Sequence, residues 1–218
     1  MKTLATLLLA LGTAATGAAE LQVTVASASG RPAPDVVVMI VPAGAAAAAA
    51  PVTVDIVQKD NRFDPYVTVV PAGSTVRFVN RDPYDHHVRS LGSGPLGAVP
   101  PAKSFELRLG AVGKAGRAQD SVVFETPGAV TLGCHIHGSM RGHLFIAATP
   151  HLAVTDEFGR ATLRGLPEGP VEMRLWHPDQ ITGQSSQALT LGSAAATAKA
   201  ALSFNPPRRP MPRKGDYD

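Results

Sequence analysis

The residues best suited to chemistry lie in one short stretch, Cys134-His135-Ile136-His137-Gly138-Ser139-Met140. It holds the chain's single cysteine, two of its seven histidines and one of its five methionines. Thiolate, imidazole and thioether are ligands of graded softness, and a trigonal His2Cys set with a weak axial Met suits copper electron transfer. At the spacing C-x2-H-x2-M, Cys134, His137 and Met140 supply three of those four groups. The second imidazole has to come from elsewhere. Read alone, Cys134 is a buried inert thiol, an intermolecular bridge or a ligand.

The start of the chain bears on where such a loop works. Lys2 precedes an apolar run from Leu4 to Leu11, and small residues follow, ending in Gly17-Ala18-Ala19. Residues 1–19 therefore read as a secretory signal peptide, too short to span a bilayer, and the mature chain is expected in the periplasm. In an oxidising compartment a single cysteine cannot form an intramolecular disulfide. No later stretch is apolar for long enough to suggest a transmembrane segment. The formal charge of +3 is misleading, because four of the 20 Lys+Arg sit at positions 208–214 and one is Lys2. Asp216 and Asp218 are the only two of the 17 acidic residues beyond position 207, so the body of the chain is neutral. That argues against a nucleic acid partner, which calls for a basic face.

The elements that must position the loop read as strands. Aromatics are 5% of the chain against 21 glycines and 19 prolines, and Val and Thr recur throughout, which favours an all-β fold rich in turns. Leu21 to Ala26 alternates, and with Asp35 to Val41 it predicts a hairpin about Gly30 and Pro32. Residues 43–52, Ala-rich between prolines, predict a linker. Further runs follow at 53–57, 63–70 and 74–80, and a loop then delivers His86 and His87 into a strand. Ser104 to Leu109 alternates within an irregular stretch. Runs at 121–124 and 129–132 flank the Pro127-Gly128 turn, and the second leads into Cys134. Gly142 to Ala147 predicts a closing strand. From His151 the texture of the opening hairpin returns, through Leu152-Ala153-Val154-Thr155, the turn 156–159 and Arg160 to Leu163. Alternation from Val171 to Trp176 and weaker runs at 187–191 and 197–204 complete it. The Pro- and Arg-rich residues 203–218 predict a disordered tail.

Taken in order, Asn80-x5-His86-x-Val88, Pro127-Gly128, Cys134-x2-His137-x2-Met140 and Gly142 resemble the cupredoxins, or blue copper proteins. The resemblance spans about residues 53–148. It implies a Greek-key β-sandwich with one copper ion held by His86, Cys134 and His137, and Met140 as the long axial ligand. The form resembles periplasmic proteins labelled methylamine utilisation proteins. Residues 20–42 and 151–202 together resemble a carboxypeptidase regulatory-like, or prealbumin-like, β-module, through Thr155-Asp156-x2-Gly159 and Leu166-Pro167-x-Gly169. The cupredoxin would then be inserted in a surface turn of that module. Two features depart from the family pattern: His87 stands where Asn often follows the first ligand, and His135 adds an imidazole beside the cysteine.

The remaining candidates carry plainer expectations. Adjacent strand residues point to opposite faces, so His86 and His87 would not both bind one ion. His143 is expected to be a partly exposed strand residue, His151 and His177 to be structural, and Trp176 to be core or sandwich edge. Asp85 is either an orienting carboxylate or a solvated loop residue. No His-Glu-x-x-His, nucleophile elbow or phosphate loop is present, so no enzyme is expected. The sequence thus predicts a one-electron carrier for a redox partner such as a cytochrome, oxidase or dehydrogenase. A copper-handling or copper-delivery protein that uses the extra histidines is the alternative.

Overall fold

A computed structural model of the chain describes residues 19–44, 49–94 and 97–207. The expected signal peptide, apart from Ala19, lies outside these residues, as do 45–48 of the linker and 208–218 of the tail. The opening strands are β1 (Ala19–Ala26), β2 (Val37–Pro42), β3 (Thr53–Lys59), β4 (Arg62–Asp64), β5 (Val67–Pro71) and β6 (Ser74–Asn80). The middle of the chain forms β7 (His86–Leu91), β8 (Glu106–Leu109), β9 (Gln119–Phe124), β10 (Gly128–Cys134) and β11 (Arg141–Ala147). It ends with β12 (Leu152–Val154), β13 (Arg160–Leu166), β14 (Gly169–Trp176), β15 (Gln187–Leu191) and β16 (Ala196–Ala201). The all-β expectation is met. Among the described residues no helix is long and apolar enough to cross a membrane.

Alternation explains why these segments are strands. In β1 the side chains of Leu21, Val23 and Val25 are buried while Gln22 and Thr24 are exposed, so one face is apolar and one is wet. Among the described residues four sheets result, in the orders β13-β1-β16, β12-β2-β14-β15, β4-β3-β6-β9 and β5-β11-β10-β7-β8. They share two cores. The first two sheets bury Leu21, Ile40, Leu163 and Met173 in one cluster. The other two bury Ile56, Phe78, Phe124, Leu132 and Leu144 in a second, which also contains Cys134 and Met140. Each such side chain contributes about 1.5–3 kcal/mol of apolar burial.

The hairpin predicted about Gly30 and Pro32 does not form. β1 pairs with β13 and β16, whereas β2 pairs with β12 and β14, so the turn at 27–36 crosses from one sheet to the other. The runs about Pro127-Gly128 are likewise split between sheets, β9 against β6 and β10 against β7 and β11. Both strands of each pair turn an apolar face to one core, and a connection of several residues spans the roughly 10 Å between facing sheets.

The segment 43–151 leaves and re-enters the first sandwich at one place. β2 and β12 are neighbours, with Met39 opposite Leu152. The Ile40 amide donates to the His151 carbonyl at 2.8 Å, and the Thr149 hydroxyl donates to the Ile40 carbonyl at 2.9 Å. On the outer face of β11 the Phe145 ring lies 5.0 Å from that of Trp176 in β14. His143 sits 6.4 Å from the same indole, with its Nε2 3.1 Å from the Tyr66 hydroxyl.

Candidate metal centre

The centre lies where two strands of one sheet end. His86 opens β7 and Cys134 closes β10, whose last ladder pair is Cys134 with Val88. The loop 135–140 then turns back into β11, and the Met140 amide donates to the His137 carbonyl at 2.9 Å. The approach to His86 is fixed from β6. The Asn80 side-chain amide donates to the carbonyls of Tyr84 at 2.8 Å and Gly110 at 2.9 Å, and its oxygen accepts from the Asp82 amide at 2.8 Å. The His87 amide reaches Cys134 Sγ at 3.4 Å, and the His135 amide donates to the His87 carbonyl at 2.9 Å.

These supports bring His86, Cys134 and His137 together, with one donor atom from each within 4.8 Å of the others. Nδ1 of His86 and Nδ1 of His137 each lie 3.6 Å from Cys134 Sγ. The His86 and His137 rings are 5.0 Å apart between centroids. Cys134 is a free, buried thiol. One thiol proton cannot satisfy two imidazole nitrogens at once, so the arrangement suits an ion accepting all three donors. Met140 is 1% exposed and packs in the core cluster that contains Cys134.

A carboxylate stands behind the first imidazole. Asp82 Oδ2 lies 2.7 Å from His86 Nε2, and both side chains are almost wholly buried. With Nε2–H donating to Asp82, Nδ1 keeps its lone pair toward the thiol, which is the tautomer a metal ligand needs. Burial pushes the His86 pKa down, and the Asp82 carboxylate works against that shift. Asp82 is itself held by the β3–β4 turn. Asp60 and Asn61 both have positive φ there, and their amides donate to its two oxygens at 2.8 and 3.5 Å. Tyr84 places its ring 5.5 Å from His86 and 5.3 Å from His137.

Sequence reasoning weighed Asp85 for the orienting role and missed Asp82. Asp85 instead accepts from the Ala111 amide at 2.8 Å. Asp82 sits four residues before His86 in a turn-like Asp-Pro, so its sequence context signals only a loop. His87 faces away from the thiol, against Glu106, and its ring lies 5.4 Å from that of His135. His143 is 8% exposed and lies against Tyr66, more enclosed than its expected partial exposure. His151 and His177 lie away from the three grouped donors, His177 with its Nδ1 accepting from the Asp179 amide at 3.0 Å.

No family model matches the chain, and a search of curated proteins found no match. Among solved structures it is similar to a copper-containing nitrite reductase from Thermus scotoductus SA-01. That pair is 25% identical, with a TM-score of 0.36, over 50% of this chain and 25% of the other, so the chain spans about a quarter of the reductase's length. A purple cupredoxin from Nitrosopumilus maritimus is 21% identical over 43% of this chain and 98% of its own, with a TM-score of 0.34. Amicyanin from Paracoccus versutus is 21% identical over 49% of this chain and 85% of its own, with a TM-score of 0.31.

Proposed function

We propose that the chain is a type 1 copper protein that carries one electron at a time between partners. The observation that carries the reading is the inward-facing trio: two imidazole Nδ1 atoms at 3.6 Å from one buried thiol sulfur. His86, Cys134 and His137 would hold the ion, with Met140 as a weak axial ligand. This soft and borderline donor set selects copper over hard cations, which take oxygen. When bound, copper supplies a one-electron couple between its +1 and +2 states.

The chain's own residues do the rest. Strand ends and the Asn80 bonds fix His86 and Cys134 in place, and Asp82 fixes the His86 tautomer. Held this way, the donors move little when charge changes, which keeps the reorganisation of transfer small. His137 is half-buried between exposed Ile136 and exposed Gly138, so its ring is the ligand edge a partner would meet. A periplasmic cytochrome, oxidase or dehydrogenase would be that partner. The copper sandwich would be an insert in the second β-module, carried between Pro42 and Leu152.

A copper-delivery role is the second reading, favoured by exposed His135 beside the thiol ligand. Voltammetry of the copper-loaded protein with a Cu(I) chelator present separates the two. A reversible one-electron wave that survives the chelator is the result expected of a carrier. Rapid loss of Cu(I) to the chelator on reduction contradicts it and favours delivery.

A further inference from the structure

The outer face of the sheet that bears the copper ligands carries a second set of donors. His87 and His135 each adjoin a ligand in sequence, His87 after His86 and His135 after Cys134; alternation along β7 turns His87 away from the thiol, and His135 opens the loop after β10. The His135 amide donates to the His87 carbonyl at 2.9 Å, which locks the two backbones side by side. Their rings lie 5.4 Å apart at 51°, close to the 5.0 Å and 60° of the His86–His137 pair on the inner face. Two imidazoles bound at about 2 Å to one tetrahedral ion hold their centroids about 5 Å apart. The ring separation of the outer pair is compatible with sharing an ion.

Its surroundings repeat the inner arrangement in another respect. Glu106, on the neighbouring strand β8, holds His87 Nε2, as Asp82 holds Nε2 of His86. That leaves Nδ1 of His87 as the donor nitrogen and fixes the ring's tautomer. Arg108 is the cross-strand neighbour of His87, and the Glu106 charge offsets it. His135 is exposed whereas His87 is 7% exposed, so an ion reaches the pair from the His135 side and completes its shell with water.

We propose that His87 and His135 form a second metal site for a borderline divalent cation, Zn(II) or Cu(II), with Glu106 as the residue that positions His87. Nitrogen donors, a nearby carboxylate and open positions fit these ions and not Mg(II) or Ca(II), which take oxygen. The site is independent of the electron-carrier reading, because it uses none of the inner ligands.

The test is a Zn(II) titration of the full chain already loaded with one equivalent of copper, read by calorimetry and by metal analysis after desalting. Zinc is colourless and diamagnetic, so the copper signals report separately that the inner site stays intact. One further equivalent is expected in the wild type. His135→Gln should weaken it at least tenfold, and Glu106→Gln severalfold, with the copper spectrum and the melting temperature unchanged. No further equivalent, or equal affinity in His135→Gln, overturns the proposal. If the inner site takes no copper, the same titration with zinc alone still reads a difference of one equivalent between wild type and His135→Gln. Failure of the copper reading and failure of the second site are thereby distinguishable.

Discussion

Asp82 supports the proposed His86 ligand from behind. Its carboxylate is buried, takes Nε2–H of His86 and is anchored by two turn amides, so it cannot swing away without stranding all three donors. Hydrogen bonding to a carboxylate raises imidazole basicity and favours the more highly charged metal state. Asp82→Asn keeps the shape but weakens that push. Copper(II) affinity should fall by about 10–100-fold, the range seen when such supporting partners are lost. The reduction potential should rise, because the oxidised state loses more than the reduced one. Competition with a Cu(II) chelator and voltammetry check the two effects; an unchanged potential contradicts the role given to Asp82.

At the scale of elements, the ligand loop depends on how tightly β10 and β11 are seated. Gly142 follows the loop, and a Cβ there would come within 2.7 Å of the Phe63 Cβ. Gly133 precedes Cys134, and a Cβ there would come within 2.6 Å of Leu91 Cδ1. Gly142→Ala should cost about 1–3 kcal/mol through overpacking, seen as a lower melting temperature of the copper-free protein, and should disturb copper binding because Met140 lies two residues away. The sequence exposed the inner donors well, because Cys134, His137 and His86 differ in type from the residues around them and their order survives in one dimension. It misled on connections: alternation shows that a run has one apolar face, but not whether two such runs lie side by side in a sheet or opposite each other across a core. Asp82 was hidden for a related reason, since its role exists only once the Asp60-Asn61 turn has been folded against it.

Across the whole molecule, the two sandwiches meet at a cluster of half-buried aromatics, Trp176, Phe145 and Tyr66, around the buried His143. Truncating Trp176 to Ala should cost about 1–3 kcal/mol as a large half-buried contact is lost, measured by denaturant unfolding. The cluster also sets a pH dependence. Burial pushes His143 down to about 4, assisted by His177 and Arg141, and burial likewise pushes His177 down to about 4. Both lie below the ordinary 6.5 of an unfolded histidine, so between these values the unfolded chain binds more protons. Their stabilising effect is therefore complete above pH 6.5 and is lost as the pH falls toward 4. Unfolding free energies of the copper-free protein should decline over that window, and His143→Gln should flatten the decline. A decline that is unchanged in the variant contradicts the assignment to His143.

The central claim is that Cys134 binds copper as a thiolate between two imidazoles. Its most direct measurement is a copper titration of the full chain by visible absorption and electron paramagnetic resonance, beside the variant Cys134→Ser. An intense thiolate-to-copper charge-transfer band with narrow copper hyperfine splitting is expected at one equivalent, both absent from the variant. A colourless complex that forms equally well without the thiol would contradict it.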